Sequence, residues 1–352
     1  MSDSLRAHLL AGQVIPAHPL ALTAARTLDE RRQRALTRYY LDAGAGGLAV
    51  GVHTTQFAIR EPQVALYRPV LELAADTARA WVGDARPFAL IAGLVGDTAQ
   101  AVREAELARA LGYDAGLLSL GAWRDADEQA LVAHCRAVAE AIPLFGFYLQ
   151  PAVGGRELGY RFWRELAEVE GLVAVKIAPF DRYRTIDVVR AIADAGRDDV
   201  ALYTGNDDTI VTDLLTPFAG ADGRARFIAG GLLGQWAVWT LRAVELLDRV
   251  KAVRAGLAED GEGPIDARWL REAAALTDAN GAIFDARHRF AGCIPGIHEV
   301  LRRQGLLAGT WCLDSHERLS LGQPEELDRV TRDYPWLQDD EFVRTNLERW
   351  ME

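Results

Sequence analysis

Lysine is nearly absent from this chain. Of its 39 basic side chains only Lys176 and Lys251 are lysines, so a permanent positive charge is supplied almost everywhere by arginine. Cysteine is scarce as well. Cys135, Cys293 and Cys312 are too few and too scattered for a disulfide framework or a zinc knuckle, and they suit a reduced cytoplasm. The formal net charge of -11 withholds the basic face that nucleic acid or an anionic membrane requires. No apolar run approaches the length that spans a bilayer, and residues 1–8 lack a charged-then-apolar leader pattern. No His, Cys or Asp cluster has metal-ligand spacing and no glycine-rich phosphate loop occurs, so neither metal nor cofactor is expected. Hydrophobic residues, in contrast, make up 50% of the 352. That is ample for the core of one large α/β barrel or of two ordinary domains in a soluble globular protein.

The scarcity makes Lys176 conspicuous, because it lies in the apolar run from Gly171 to Pro179. A guanidinium stays protonated, whereas a desolvated lysine amine loses its proton near neutral pH and attacks carbonyl carbon to form a Schiff base. The plainer reading is a lysine that snorkels from a strand end. Alternation along the strand places Leu172, Ala174, Lys176 and Ala178 on one face and Val173, Val175 and Ile177 on the other. The neighbours of the amine are therefore mostly small. The branched residues opposite suit packing against covering helices.

Short β-rich runs recur at regular spacing: Val14 to Pro16, Gly47 to Val52, Phe88 to Leu94, Ala115 to Leu120, Leu144 to Leu149, Leu172 to Ile177, Val200 to Tyr203 and Arg226 to Ala229. Amphipathic stretches such as Leu28 to Ala43, Thr98 to Leu111, Glu128 to Ala141 and Ile186 to Ala195 lie between them. Eight such units predict a (β/α)8 TIM barrel, with a doubly wound open sheet as the competitor. Gly44, Gly46 and Ala49 match a relaxed dinucleotide fingerprint, but they follow a helix and open a strand. They read as a helix C-cap and a tight turn. The barrel is expected over residues 1–235 and a C-terminal helical region over 236–352, with helices at Trp236 to Arg254, Ala267 to Thr277 and Ile297 to Arg303. The last stretch carries Trp336, Phe342 and Trp350 on a polar background and is expected to dock on the body or on a partner subunit.

Chemistry in such a barrel sits at the carboxyl ends of the strands. The second strand runs into His53, Thr54 and Thr55, the fifth carries Tyr148 and Gln150 before Pro151, and the seventh ends in Gly205, Asn206, Asp207 and Asp208. Tyr148 shares its face with Gly146 and Gln150, so two adjacent strands are expected to aim an amine and a phenol at the same space. A phenol there shuttles protons during imine formation. Read alone, Tyr148 is equally a core tyrosine with a satisfied hydroxyl, Thr54 and Thr55 equally end a strand, and His53 is a structural imidazole or a further acid or base.

Tyr148, Pro151 three residues on, and Lys176 resemble the dihydrodipicolinate synthase and N-acetylneuraminate lyase superfamily of class I, Schiff-base aldolases. The resemblance extends from near Val14 to about Pro324. Thr54 and Thr55 resemble the family turn whose hydroxyl and backbone amides hold the carboxylate of a 2-oxo acid, and Gly205 to Asp207 resembles its segment after the seventh strand. The resemblance implies an imine between Lys176 and pyruvate or a pyruvate-derived acid, Tyr148 as proton shuttle, Thr55 as a catalytic hydroxyl, and no cofactor. It also implies a homodimer or homotetramer.

The departures are informative. Gln56 and Phe57 stand where the family turn has glycine and glutamate, and Ala122 and Trp123 lie where the synthases lend a tyrosine across a subunit interface. Val153 takes the place of the arginine that binds the semialdehyde carboxylate, the nearest arginine being Arg156. These losses speak against dihydrodipicolinate synthesis itself. Pro151 to Gly155 looks more like the lyase branch, and Asp207 with Asp208 resembles the acidic pair that neuraminate lyases use for sugar hydroxyls. Three functions stay open: aldol cleavage or synthesis, dehydration or decarboxylation of a 2-keto-3-deoxy sugar acid by the same imine, and a barrel that binds a small acid without turnover.

Overall fold

The computed structural model describes every residue except Met1, Asp84, Ala85 and Ala221. Its eight parallel strands, taken here as first to eighth, are Val14–Pro16, Gly47–Val50, Ala89–Leu94, Ala115–Leu118, Leu144–Leu149, Leu172–Ala178, Ala201–Thr204 and Gly230–Leu233. They form one sheet in which the first is followed by the eighth and then by the others in descending order down to the second. A doubly wound sheet would reverse direction at a switch point, and this order has none. A parallel bridge between Ala17 and Ala49 joins the first strand to the second. The fold is the (β/α)8 barrel with C-terminal helices.

Local chemistry explains where the helices begin. Glu30–Asp42, Thr98–Ala110, Glu128–Ala141 and Arg182–Asp194 are preceded by Asp29, Asp97, Asp127 and Asp181, and each of those carboxylates accepts the backbone N–H three residues on. An aspartate in that place satisfies one of the donors that a helix start leaves without an intrahelical partner.

The eighth strand corrects the sequence reading. It lies at Gly230–Leu233, and Arg226 instead joins a two-stranded antiparallel ribbon of Phe218–Ala219 with Ala225–Arg226. Two adjacent glycines discourage a strand assignment, yet Gly230 is needed for close approach. A Cβ there would lie 2.3 Å from the carbonyl oxygen of Gln13 and 3.0 Å from the ring of Tyr203.

The chain packs as two compact units. One comprises residues 1–13, 89–232 and 246–273, and so holds the third to seventh strands and most of the eighth. The other comprises 14–88, 233–245 and 274–352, the first two strands with the C-terminal helices. Within the second unit, the helix Asp340–Met351 packs on Glu30–Asp42. Trp350 is fully buried, 5.4 Å from the ring centroids of both Tyr39 and Phe342, and its indole N–H donates to Asp42 at 2.6 Å. The tail thus docks on its own body, while Trp336 stays half exposed against Tyr334. Trp350→Ala is expected to cost roughly 3–5 kcal/mol, the range for a fully buried tryptophan, measured by denaturant unfolding.

Candidate functional site

Lys176 pairs in register with Phe147 of the fifth strand and Tyr203 of the seventh, so these three side chains share a face. Its Nζ stands 4.5 Å from the centroid of the Phe147 ring. Along the sixth strand it alone stays partly accessible. Room for it comes from Gly205, where a Cβ would lie 2.7 Å from Lys176 Cε and 2.8 Å from Ala178 Cβ. The alternation read from the sequence is borne out here, with Lys176 and Ala178 on one side and a glycine opposite. Burial lowers the amine from its ordinary 10.5 to about 8, against the opposing pull of the Asp207 carboxylate.

The turn after the seventh strand is held from beneath. Gly205 N–H donates to the Ile177 carbonyl at 2.7 Å. The Asn206 side chain donates to Asp213 at 2.9 Å and to Thr185 at 3.1 Å, and accepts from the Phe180 N–H at 2.9 Å. Buried Asp213 also accepts from the Thr204 hydroxyl at 2.6 Å and pairs with Arg182 at 2.7 Å. Sequence reading did not single out Asp213. Its one signal is a carboxylate inside the apolar stretch Ile210–Leu215, where burial raises it. Asp208 is raised by burial too, with Arg182 opposing.

Tyr148 is placed differently from the expectation. The pairing of fifth and sixth strands begins with Leu144 opposite Leu172, slips by one residue, and continues with Phe145 opposite Ala174. Without that bulge Tyr148 would stand beside Lys176; with it Tyr148 stands beside Ile177 and Phe147 takes the place next to the amine. The phenol faces the covering helix. Its ring lies 5.4 Å from that of Trp163, and its oxygen accepts the Leu158 N–H at 3.1 Å. Tyr148→Phe is expected to cost about 1–3 kcal/mol by stranding that buried N–H, while amine reactivity changes less than about fivefold. Thermal denaturation beside a covalent-trapping assay separates the two effects. Arg156 is likewise engaged in structure, donating to the carbonyls of Trp123 and, at 3.0 Å, Ala126, which ties together the loops after the fourth and fifth strands.

In the second unit, His53–Thr55 is a single 3-10 turn after the second strand. The Thr55 hydroxyl donates to the His18 carbonyl at 2.7 Å and accepts from the Gly51 N–H at 3.0 Å, while Thr54 reaches the same carbonyl at 3.4 Å. The backbone N–H groups of Thr55 and Gln56 are spent within the turn, on Val52 and His53. The His53 ring lies edge-on to Phe57, 6.0 Å away. Gln56 has φ +67°, a conformation that suits glycine and costs another residue roughly 1–3 kcal/mol. Its Oε1 accepts the Leu313 N–H at 2.6 Å, and its buried Nε2 has no acceptor among the described residues. Among those residues, no group of three or more His, Cys, Asp or Glu could hold a metal, and no helix is long and apolar enough to cross a membrane.

Comparison with known proteins places this arrangement. The 4-hydroxy-tetrahydrodipicolinate synthase of Moorella thermoacetica is 27% identical over 304 residues, covering 85% of this chain and 90% of that protein. The N-acetylneuraminate lyase of Fusobacterium nucleatum superposes with a TM-score of 0.71 at 17% identity, over 92% of this chain and 99% of that one. A prophage protein of the dihydrodipicolinic acid synthase family from E. coli K12, solved in complex with pyruvate, gives 0.72 at 18% identity, over 91% and 97%. The sequence model of the dihydrodipicolinate synthetase family matches residues 11–237. The chain therefore belongs to the dihydrodipicolinate synthetase family, within the dihydrodipicolinate synthase and N-acetylneuraminate lyase superfamily of lyases.

Proposed function

We propose that this protein is a Schiff-base-forming lyase or aldolase acting on pyruvate or another 2-oxo acid through an imine at Lys176. The observation that carries the reading is the amine itself: a lysine lowered to about 8 on a buried strand, with a glycine opposite and a carboxylate acting on it. Free amine adds to the oxo carbon, the carbinolamine loses water, and the protonated imine accepts the electron pair released when the neighbouring carbon bond breaks. The phenol of Tyr148 faces the covering helix, so Asp207 is assigned the proton exchange around the amine. Gly205, Asp207 and Asp208 are assigned to the hydroxyls of the distal half of the substrate. A cytoplasmic homodimer or homotetramer is the expected setting, tested by sedimentation.

Incubation with pyruvate and borohydride, followed by peptide mass mapping, tests the imine. A stable adduct on the peptide bearing Lys176 is expected, and its absence under conditions that trap a control aldolase overturns the reading. Turnover of a panel of 2-keto-3-deoxy sugar acids then separates the outcomes, because only aldol cleavage releases pyruvate.

A further inference from the structure

Asn206 stands between two residues that bear on the amine. Before it, Gly205 leaves Lys176 its room, since a Cβ there would lie 2.7 Å from Lys176 Cε; after it, the Asp207 carboxylate acts on the same amine. Asn206 itself is 1% exposed, and both polar atoms of its side chain are engaged. Its Oδ1 accepts the Phe180 N–H at 2.9 Å, while its Nδ2 donates to Asp213 at 2.9 Å and to Thr185 at 3.1 Å. The orientation of the amide is fixed, because a backbone N–H requires the oxygen and a carboxylate the nitrogen. The backbone is held as well, its N–H donating to the Thr204 hydroxyl at 3.2 Å and its carbonyl accepting the Thr209 N–H at 3.1 Å.

The side-chain partners come from separate elements. Phe180 lies two residues beyond the strand Leu172–Ala178 that carries the amine, Thr185 lies in the helix Arg182–Asp194, and Asp213 in Ile210–Leu215. Phe180 has φ +53°, a left-handed backbone that a bulky residue keeps only where its surroundings hold it, and strain of this kind gathers at functional sites. The Thr185 hydroxyl carries the connection on to the Asp181 carbonyl at 3.0 Å, at the cap of its helix. One buried amide thus joins the end of the sixth strand to the turn that bears Asp207, all within the first compact unit.

We propose that Asn206 is a positioning residue for the nucleophile: by tying the turn after the seventh strand to the end of the sixth, it sets the Asp207 carboxylate against the Lys176 amine. This rests on the reading of Lys176 as the imine-forming amine. The neighbours of that amine in register, Phe147 and Tyr203, carry no charge near neutral pH, since burial pushes the Tyr203 phenol well above its ordinary 10. Asp207 is the carboxylate through which a displaced turn is felt.

With only two lysines in the chain, lysine isotopically labelled at Cε gives two NMR resonances, and Lys176→Arg identifies one by removing it. The titration of Lys176 is then read without substrate, and the wild-type midpoint is expected at about 8. Asn206→Ala is expected to lower the midpoint by at least about half a pH unit, because a displaced carboxylate no longer favours the charged amine, and to slow borohydride capture of pyruvate at least about tenfold. In the Asp207→Asn background the same substitution is expected to leave the midpoint within about 0.2, since a residue that acts through Asp207 has nothing left to act on. General loosening of the turn admits water and carries the midpoint the other way, toward 10.5. Thr185→Val takes one acceptor from the amide and is expected to lower the midpoint by less; it supplies the reading should Asn206→Ala not fold. A midpoint that stays or rises in the folded variant, or that falls equally with and without the Asp207 carboxylate, overturns the proposal. Midpoints that move as expected in a protein that traps no pyruvate sink the imine and leave the positioning of the amine standing.

Discussion

Lys176→Arg is expected to abolish covalent capture of pyruvate, a fall of at least roughly three orders of magnitude, because a guanidinium keeps its proton and forms no imine. In the wild type, the pH dependence of capture is expected to report the same amine. Only the unprotonated form attacks, so the rate should rise through about 8 and, one unit below, about a tenth of the molecules are competent. The Asp207 carboxylate opposes the lowering, so Asp207→Asn is expected to move the midpoint further down. Stability follows with a definite sign. The folded amine has a lower pKa than the unfolded one, so the unfolded chain binds more protons between about 8 and 10.5, and stability rises with pH across that window. Lys176→Met should therefore exceed the wild type in stability below about 8, the excess vanishing by 10.5. Capture that stays flat from pH 6 to 9 contradicts the assignment of the nucleophile.

The sequence made Lys176 legible because one strand's alternation is an intrinsic property of that strand, and Ala178 does share its face. Seven of the eight strands were legible for the same reason, as short apolar runs separated by helical stretches, four of which open on an aspartate. The relation between two strands is a different matter. Alternation shows which residues of the fifth strand go together but not which set meets the amine, and a one-residue bulge at Leu144 and Phe145 brings Phe147 there and turns Tyr148 away. Long-range partners were equally beyond reach, since nothing local in Gln56 announces the Leu313 N–H 257 residues later. The left-handed backbone of Gln56 was readable only indirectly, as a departure from a glycine-bearing turn.

Gly205→Ala should cripple the site without removing any reactive atom. The backbone there is not left-handed, so alanine meets no conformational objection, and the effect comes from contact alone. A methyl at 2.7 Å from Lys176 Cε pushes the flexible end of the lysine aside, whereas at 2.8 Å from Ala178 Cβ it meets a side chain that cannot rotate away. Overpacking of this kind costs about 1–3 kcal/mol, and a displacement of the nucleophile near 1 Å slows capture by roughly a hundredfold. A displaced amine also leaves its buried position over Phe147, so the midpoint of the capture profile should climb from about 8 back toward 10.5. The two readouts together separate this from general destabilisation, which would lower the amount of active protein and leave the midpoint unmoved. Capture by Gly205→Ala at the wild-type rate and midpoint would mean that the amine does not react from the place beside Gly205.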